Sequence, residues 1–189
     1  IACVLSPSLA KYLPNSRMGI RSDLLPPLLS STTTSTMLLP SVLNPYFIPD
    51  RGLRRALRRA ARRGVTVRVI VPAHTDVRVV QFASRHLYPG LIRHGVHVHE
   101  WRGHMMHAKT AVIDSVWSTI GSYNIDKRSF VHNLEASVVV LDGPLAREIE
   151  GWFDEDLENC REITLAECRA RPAWERALQW VAFAFRYWL

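Results

Sequence analysis

The sequence predicts an α/β fold: a mixed β-sheet flanked by helices on both faces, with further helices closing the chain. Three observations carry this. Short apolar runs alternate with amphipathic helical stretches from Asn44 onward. Two extended segments around residues 107–122 read as an antiparallel hairpin, so the sheet cannot be wholly parallel. The 189 residues are 48% hydrophobic and 22% charged, which places the chain among globular proteins and excludes global disorder.

Residues 1–43 read as an irregular leader, because LPP, SSTTTSTM and LLP show no helical period. Next, YFI before Pro49 reads as a short buried strand. Asp50 is the expected N-cap of a helix over RGLRRALRRAARRG. Leu53, Ala56, Leu57, Ala60 and Ala61 share its apolar face, seven arginines line the others, and Gly64 falls where a C′ residue belongs. VTVRVIVP is a strand ended by Pro72, residues 76–94 a helix stopped by Gly95, and VHVHEW a strand. After the hairpin, LEASVVVL is a strand and GPLAREIEGWFDEDLENC an acidic helix. A Thr164 cap opens helices over 165–170 and 173–187, parted by Pro172. The expected organisation is therefore a leader (1–43), a main domain (44–160) and a helical extension (161–189). The sequence opens on Ile1 rather than Met and reads as a fragment.

Several classes are excluded at once. No apolar run approaches the roughly 18 residues of a membrane span. Three scattered cysteines give neither a disulfide framework nor a CxxC knuckle. Nucleotide-loop, GxSxG and HExxH signatures are absent. His94, His97, His99 and His104 lack a nearby cysteine and read as partly exposed histidines rather than zinc ligands. The net charge is +7, although residues 142–167 hold nine acids against Arg147 and Arg161. A basic body of this kind calls for an anionic partner: nucleic acid, anionic lipid or a phosphate substrate.

The chemistry-bearing stretch is HAKTAVIDSVWSTIGSYN, residues 107–124. His107 and Lys109 are two apart, as are Ser122 and Asn124, and i, i+2 positions of a strand share a face. If the chain reverses symmetrically about Ser115 and Val116, Lys109 faces Ser122 and His107 faces Asn124. That grouping suits phosphoryl chemistry. An imidazole can attack phosphorus when neutral, or protonate a leaving oxygen when charged. Lysine supplies positive charge where phosphoryl oxygens gain charge, and Ser and Asn add oriented donors. Gly121 permits close approach of backbone or substrate. Asp114, at the hairpin tip, is placed to brace the turn. Glu135, on the next strand, is placed to accept a hydrogen bond from the histidine and hold its tautomer.

The pattern His107-x-Lys109, four residues, Asp114, six residues, then Gly121-Ser122 and Asn124, resembles the HKD signature of the phospholipase D superfamily. NPYFIPD, LRRAARRGVTVRVIVP, SRHLYPGLIRHGVHVHEW and NIDKRSFVHNLEA resemble the C-terminal half of bacterial cardiolipin synthases, from about Asn44 to the end. The resemblance implies a phosphatidyltransferase that makes cardiolipin from phosphatidylglycerol through a phosphohistidine, with no metal or cofactor. It implies that His107, Lys109, Asp114, Ser122, Asn124 and Glu135 form one half of an active site, with His107 leaning to the acid/base role. The partner set follows: a phospholipid substrate, an anionic membrane surface, and a second HKD half in the same chain or a homodimer, with nucleic acid disfavoured. A peripheral place on the cytoplasmic side of the bacterial inner membrane is also implied. The rival readings are a one-motif phosphodiesterase or nuclease acting as a dimer, and an inactive membrane-binding fragment. The arginine face of residues 51–63 reads as a contact for anionic lipid or nucleic acid or as a solvated face, and the aromatic run WERALQWVAFAFRYWL as a membrane-interface segment or a helix packed on the domain or on the missing half.

Overall fold

The computed structural model describes residues 2–5 and 40–189. An eight-stranded mixed sheet runs through the molecule in the order β1-β7-β6-β5-β2-β3-β4-β8. The strands are β1 (Ala2–Leu5), β2 (Ser41–Leu43), β3 (Val67–Pro72), β4 (Val96–Trp101), β5 (Thr110–Ile113), β6 (Trp117–Gly121), β7 (Ala136–Leu141) and β8 (Cys160–Glu162). The centre, β2-β3-β4, is parallel, and every other pairing is antiparallel. Helices cover both faces, as expected.

Alternation along β3 decides which helix goes where. Val67, Val69 and Val71 point into the larger core. There they meet Leu57 and Ala60 of α1 (Arg51–Arg62) and Val80, Ala83, Leu87 and Leu91 of α2 (Arg78–Ile92). Ile70 points the other way, onto Ala146, Ile149 and Phe153 of α4 (Gly143–Glu158). A central parallel strand buried on both sides has to be apolar at nearly every position, and only Arg68 departs from this in VRVIVP. Arg68 escapes by reaching Asp154 of α4 at 2.6 Å.

Helix ends follow the expected chemistry. The Asp50 side chain accepts from the Leu53 N–H at 2.7 Å. Gly64 and Gly95 have φ of 87° and 88°, the left-handed conformation that glycine adopts at least cost. Thr164 and Glu167 form a capping box on α5 (Leu165–Ala170).

The structure also departs from the sequence reading. YFI is not a strand; the strand is the preceding Ser41–Leu43, which pairs on both sides with β3 and β5. The part of the supposed leader from Ser41 is thus the middle of the sheet, and Ala2–Leu5 is a strand against β7. The rest of that leader lies outside the described residues. The expected break at residue 160 cuts through β8, which pairs with β4. Cys168 of α5 and Ala182 of α6 (Ala173–Ala184) belong to the larger core, so 161–189 packs into the main body. α6 ends at Ala184, three residues short of the expected limit. The short α3 (Lys127–Val131) was not expected.

Candidate active site

The carboxyl ends of β2 and β3 meet the start of β5, the end of β6 and the start of β7 at one edge of the sheet. In open α/β sheets this edge gathers loops and ligands. Of the six expected residues, five lie on segments that converge here and one does not.

His107 and Lys109 enter just before β5, whose ladder begins at Thr110. They are therefore on an extended lead-in rather than on the strand itself. Lys109 is 8% exposed and His107 is solvent-exposed. The Lys109 Nζ lies 2.8 Å from Nδ1 and 3.2 Å from Nε2 of His107, and it donates to the His107 carbonyl at 2.8 Å. The ammonium can donate to whichever ring nitrogen carries the lone pair. Burial lowers the Lys109 pKa from its usual range, while the charges of Glu135 and Asp76 act against that shift.

Ser122 and Glu135 form the second pair. The Ser122 hydroxyl donates to Glu135 Oε2 and accepts from the Ala136 N–H at 3.1 Å. Glu135 is 7% exposed, and its Oε1 accepts from Asn133 Nδ2 at 3.0 Å. The expected hydrogen bond from histidine to Glu135 is replaced by these two. Glu135 acts on Lys109 through charge, and a serine and an asparagine hold it in place. Gly121 has a specific reason to lack a side chain: a Cβ would lie 2.5 Å from the Ala136 carbonyl oxygen and 2.6 Å from Ser137 Cα. The close approach that needs glycine is that of β7.

The hairpin register differs from the symmetric one. Thr110 pairs with Ile120 and Ile113 with Trp117, so Lys109 stands opposite Gly121, not Ser122. Asp114 and Ser115 have φ of 56° and 52°, and the Val116 N–H returns to the Ile113 carbonyl at 3.3 Å. Such a turn, positive in φ at both central residues, leaves Val116 as an extra residue and moves the pairing by one. Ser122 follows β6 directly and stays bonded to the start of β7, its N–H donating to the Ala136 carbonyl at 2.9 Å.

Asp114 sits at the far end of the hairpin, about 16 Å from Lys109 along the strand. Next to it, Ser115 is clamped by Glu150 of α4, through its N–H at 2.9 Å and its hydroxyl at 2.6 Å. Asn124 lies in the loop after β6, where its carbonyl accepts from the Asp126 N–H at 2.8 Å. Its side-chain oxygen is buried and makes no hydrogen bond.

Four residues around the site escaped the sequence reading. Asn44, 2% exposed, follows β2 directly. Its side chain accepts from Ile125 N–H at 3.1 Å and donates to the Tyr123 carbonyl at 3.2 Å, which ties down the Ser122–Asn124 loop. The Tyr46 hydroxyl donates to Asp76 at 2.6 Å, which holds that carboxylate below its usual range. Burial first, then Asp76, pushes the Tyr46 phenol up to about 12. Buried Asp126 caps α3 through the Ser129 N–H at 2.6 Å, and desolvation raises its pKa to about 6. For Asn44, Tyr46 and Asp126 the sequence signal is NPYFIPD and NIDKRSFVHNLEA as blocks, without roles for single residues, and Asp76 lies in neither.

The architecture is that of the phospholipase D class. It superposes on a phospholipase D family member, Nuc from Salmonella typhimurium, with a TM-score of 0.59 at 20% identity, covering 68% of this chain and 84% of that one. Phosphatidylserine synthase of Haemophilus influenzae gives a TM-score of 0.64 at 13% identity, over 80% of this chain and 42% of that one. Within the class the placement is narrower. The family model described as "Cardiolipin synthase, PLD-like domain" matches residues 37–157, and the chain belongs to that family. It is 36% identical over 143 residues to the probable cardiolipin synthase YwiE of Bacillus subtilis, covering 76% of this chain and 28% of that protein. Against cardiolipin synthase B of Salmonella typhi it is 34% identical over 145 residues, 76% of this chain and 35% of that one. The chain thus spans about a third or less of the length of these curated relatives.

Proposed function

We propose that this chain supplies one half of a phosphatidyltransferase active site that makes cardiolipin from two molecules of phosphatidylglycerol. The observation that carries it is the Lys109 ammonium set 2.8 Å from the His107 ring, beside the Ser122–Glu135 pair at the carboxyl edge of the sheet. One histidine attacks the phosphorus of the first lipid, forming a P–N bond as the P–O bond to glycerol breaks. The opposing histidine gives the departing glycerol oxygen its proton. That second histidine then takes the proton from the hydroxyl of another phosphatidylglycerol, whose oxygen attacks phosphorus and breaks the P–N bond. Cardiolipin and glycerol result, and both histidines return to their starting states. His107 takes the acid/base part, and Lys109 stabilises charge on the phosphoryl oxygens. Ser122, held by Glu135, orients a hydroxyl into the site; Asn124 contributes a side-chain amide; Asp114 braces the turn from a distance. No step calls for a metal or cofactor.

The scheme needs two histidines on opposite sides of one phosphorus, and one HKD set is present here. The second comes from another segment of a longer chain or from a second copy of this one. Size-exclusion chromatography, with a phosphatidylglycerol assay on each peak, tests this directly. Cardiolipin made only in a dimeric or two-motif species supports the reading, whereas sustained turnover by a monomer carrying one HKD set overturns it. Cleavage of single-stranded DNA in place of lipid transfer would favour the nuclease reading, which the arginine face of α1 also suits.

The protein acts as a peripheral component on the cytoplasmic side of the bacterial inner membrane. Among the described residues no helix is long and apolar enough to cross a bilayer. Retention of the protein in membranes after a high-salt and carbonate wash would contradict peripheral attachment.

A further inference from the structure

The outer face of α6 and the turn that follows it are unusual for a surface. Seven of the sixteen exposed large apolar side chains among the described residues fall between Trp174 and Trp188. Trp174, Leu178, Val181, Phe185 and Trp188 recur at helical spacing and form one stripe, with Trp174 65% and Trp188 73% exposed. Trp180 and Tyr187 widen it to about half the circumference, and no charged residue interrupts that arc. The inward face, by contrast, is satisfied: Ala182 is in the core, and Gln179 is buried and bonded to Glu175.

Two features say what covers the stripe. The first is charge. Phe183 carries the guanidinium of Arg54 from α1 at 5.6 Å and that of Arg186 at 4.5 Å. Arg51 and Arg58 also bear on Arg54 electrostatically, so the arginine face of α1 and the aromatic helix meet along one edge. A surface of tryptophan and tyrosine rimmed by arginines matches the boundary of an anionic bilayer, where amphipathic rings sit among headgroups.

The second is continuity with the active site. The Tyr187 ring packs edge-on against His132 at 6.0 Å, and the Leu189 carbonyl accepts from the Arg128 N–H at 3.1 Å. His132 is next to Asn133, which holds Glu135. Leu134, between them, is 67% exposed, and Met105, two residues before His107, is 69% exposed. Two exposed apolar side chains therefore stand beside the site, and the aromatic turn packs next to it.

We propose that the α6 stripe, with the arginines at its edge, docks this protein on the surface of an anionic phospholipid bilayer and turns the active-site rim toward the lipid. The inference rests on the lipid-substrate reading above only for the direction the site faces. Docking is read without turnover, so the two can fail separately.

The test uses the intact protein with vesicles of phosphatidylcholine alone or with phosphatidylglycerol added. Tryptophan emission should shift blue and be quenched by brominated acyl chains, more strongly with phosphatidylglycerol and less at high salt. Trp174→Ser with Trp188→Ser should weaken vesicle affinity at least about tenfold, because two interfacial rings are lost. Arg54→Gln with Arg186→Gln should cost about fivefold per arginine and flatten the salt dependence. Trp174, Trp188 and Arg186 are exposed and Arg54 is half-buried, and circular-dichroism melting checks that each variant is folded. Unquenched tryptophan in the intact protein overturns the proposal without reference to any variant. So does vesicle affinity that the folded tryptophan pair leaves unchanged. A concentration-dependent dimer with shielded tryptophans and no vesicle binding would assign the stripe to a second copy instead.

Discussion

The two ends of the β5–β6 hairpin carry polar clusters of similar size and opposite character. At the tip, Glu150 accepts both the N–H and the hydroxyl of Ser115. Those bonds close a turn in which two residues other than glycine hold positive φ. At the open end, Lys109 is partnered mainly with an exposed histidine, and its charge is pulled down by burial. The tip contains acceptors matched to donors, which is how a fold holds strain in place. The open end holds a buried cation that bonds to a histidine ring, while Glu135 and Asp76 act on it through charge alone. The same 18-residue signature thus spans one end clamped by paired donors and acceptors and one end proposed to be reactive, and spacing alone does not distinguish them.

The strongest way to test that contrast is at the open end. His107→Ala in the assembled enzyme should lower cardiolipin formation by about 10²–10⁴-fold or more, as loss of a positioned acid/base does. Because His107 is exposed, the melting temperature should stay within a degree or two of the parent (about 0.5 kcal/mol). Full activity in this variant would remove the chemistry from this end altogether. Lys109→Met should cost about 10²–10³-fold in kcat with a smaller change in KM, since its charge is asked to act on the transition state. A pure KM effect would make Lys109 a substrate anchor instead.

Between the ends lies Gly121. Gly121→Ala should destabilise the fold by about 1–3 kcal/mol, because the added methyl meets β7 backbone that cannot give way. Urea unfolding measures this, and an unchanged midpoint would mean that the β6–β7 approach relaxes freely.

Asp126 sharpens the comparison through pH. It anchors α3 behind the open end, and its pKa in the folded protein, about 6, is raised above its usual value of 3.8. A carboxyl with a raised folded pKa binds its proton more tightly in the native state. Its stabilising contribution is therefore full below about pH 4 and lost as pH rises to about 6. Over that window the loss amounts to at most about 3 kcal/mol. Asp126→Asn keeps an N-cap oxygen for Ser129 and should remove this component. Parallel stability–pH curves for parent and variant would show that Asp126 is not the group responsible.

Legibility followed signal length. α1 was readable because Asp50, the Leu57 and Ala60 face and Gly64 agree with one another. β2, β8 and α3 were not, being three, three and five residues long, too short for any period to emerge. β2 exists because β3 and β5 offer it partners, which is tertiary information. The register slipped because Asp114 and Ser115 adopt positive φ where Asn-Gly would have announced it. In the site, His107 and Lys109 were legible from a two-residue spacing that survives outside a strand. Asn44, Tyr46 and Asp76 were not, because they arrive from loops after β2 and β3 and reach the site only through folding.

The smallest expected effect lies at the tip, and it decides whether that end is structural. Glu150→Gln keeps the side chain's length but replaces two charge-assisted bonds to Ser115 with neutral ones, the amide oxygen accepting the N–H and the amide N–H donating to the rotated hydroxyl. Ionic acceptors make bonds roughly twice as strong as neutral ones, so a loss of about 1 kcal/mol follows. For a protein of this size that lowers Tm by about 2–4 °C. Glu150 lies on α4, on the opposite end of the hairpin from Lys109, so cardiolipin formation below the transition should match the parent. Equal Tm with reduced turnover would reverse the assignment. The turn would then control the open end through the two strands, and the HKD aspartate beside it would have a part in catalysis that its distance argues against.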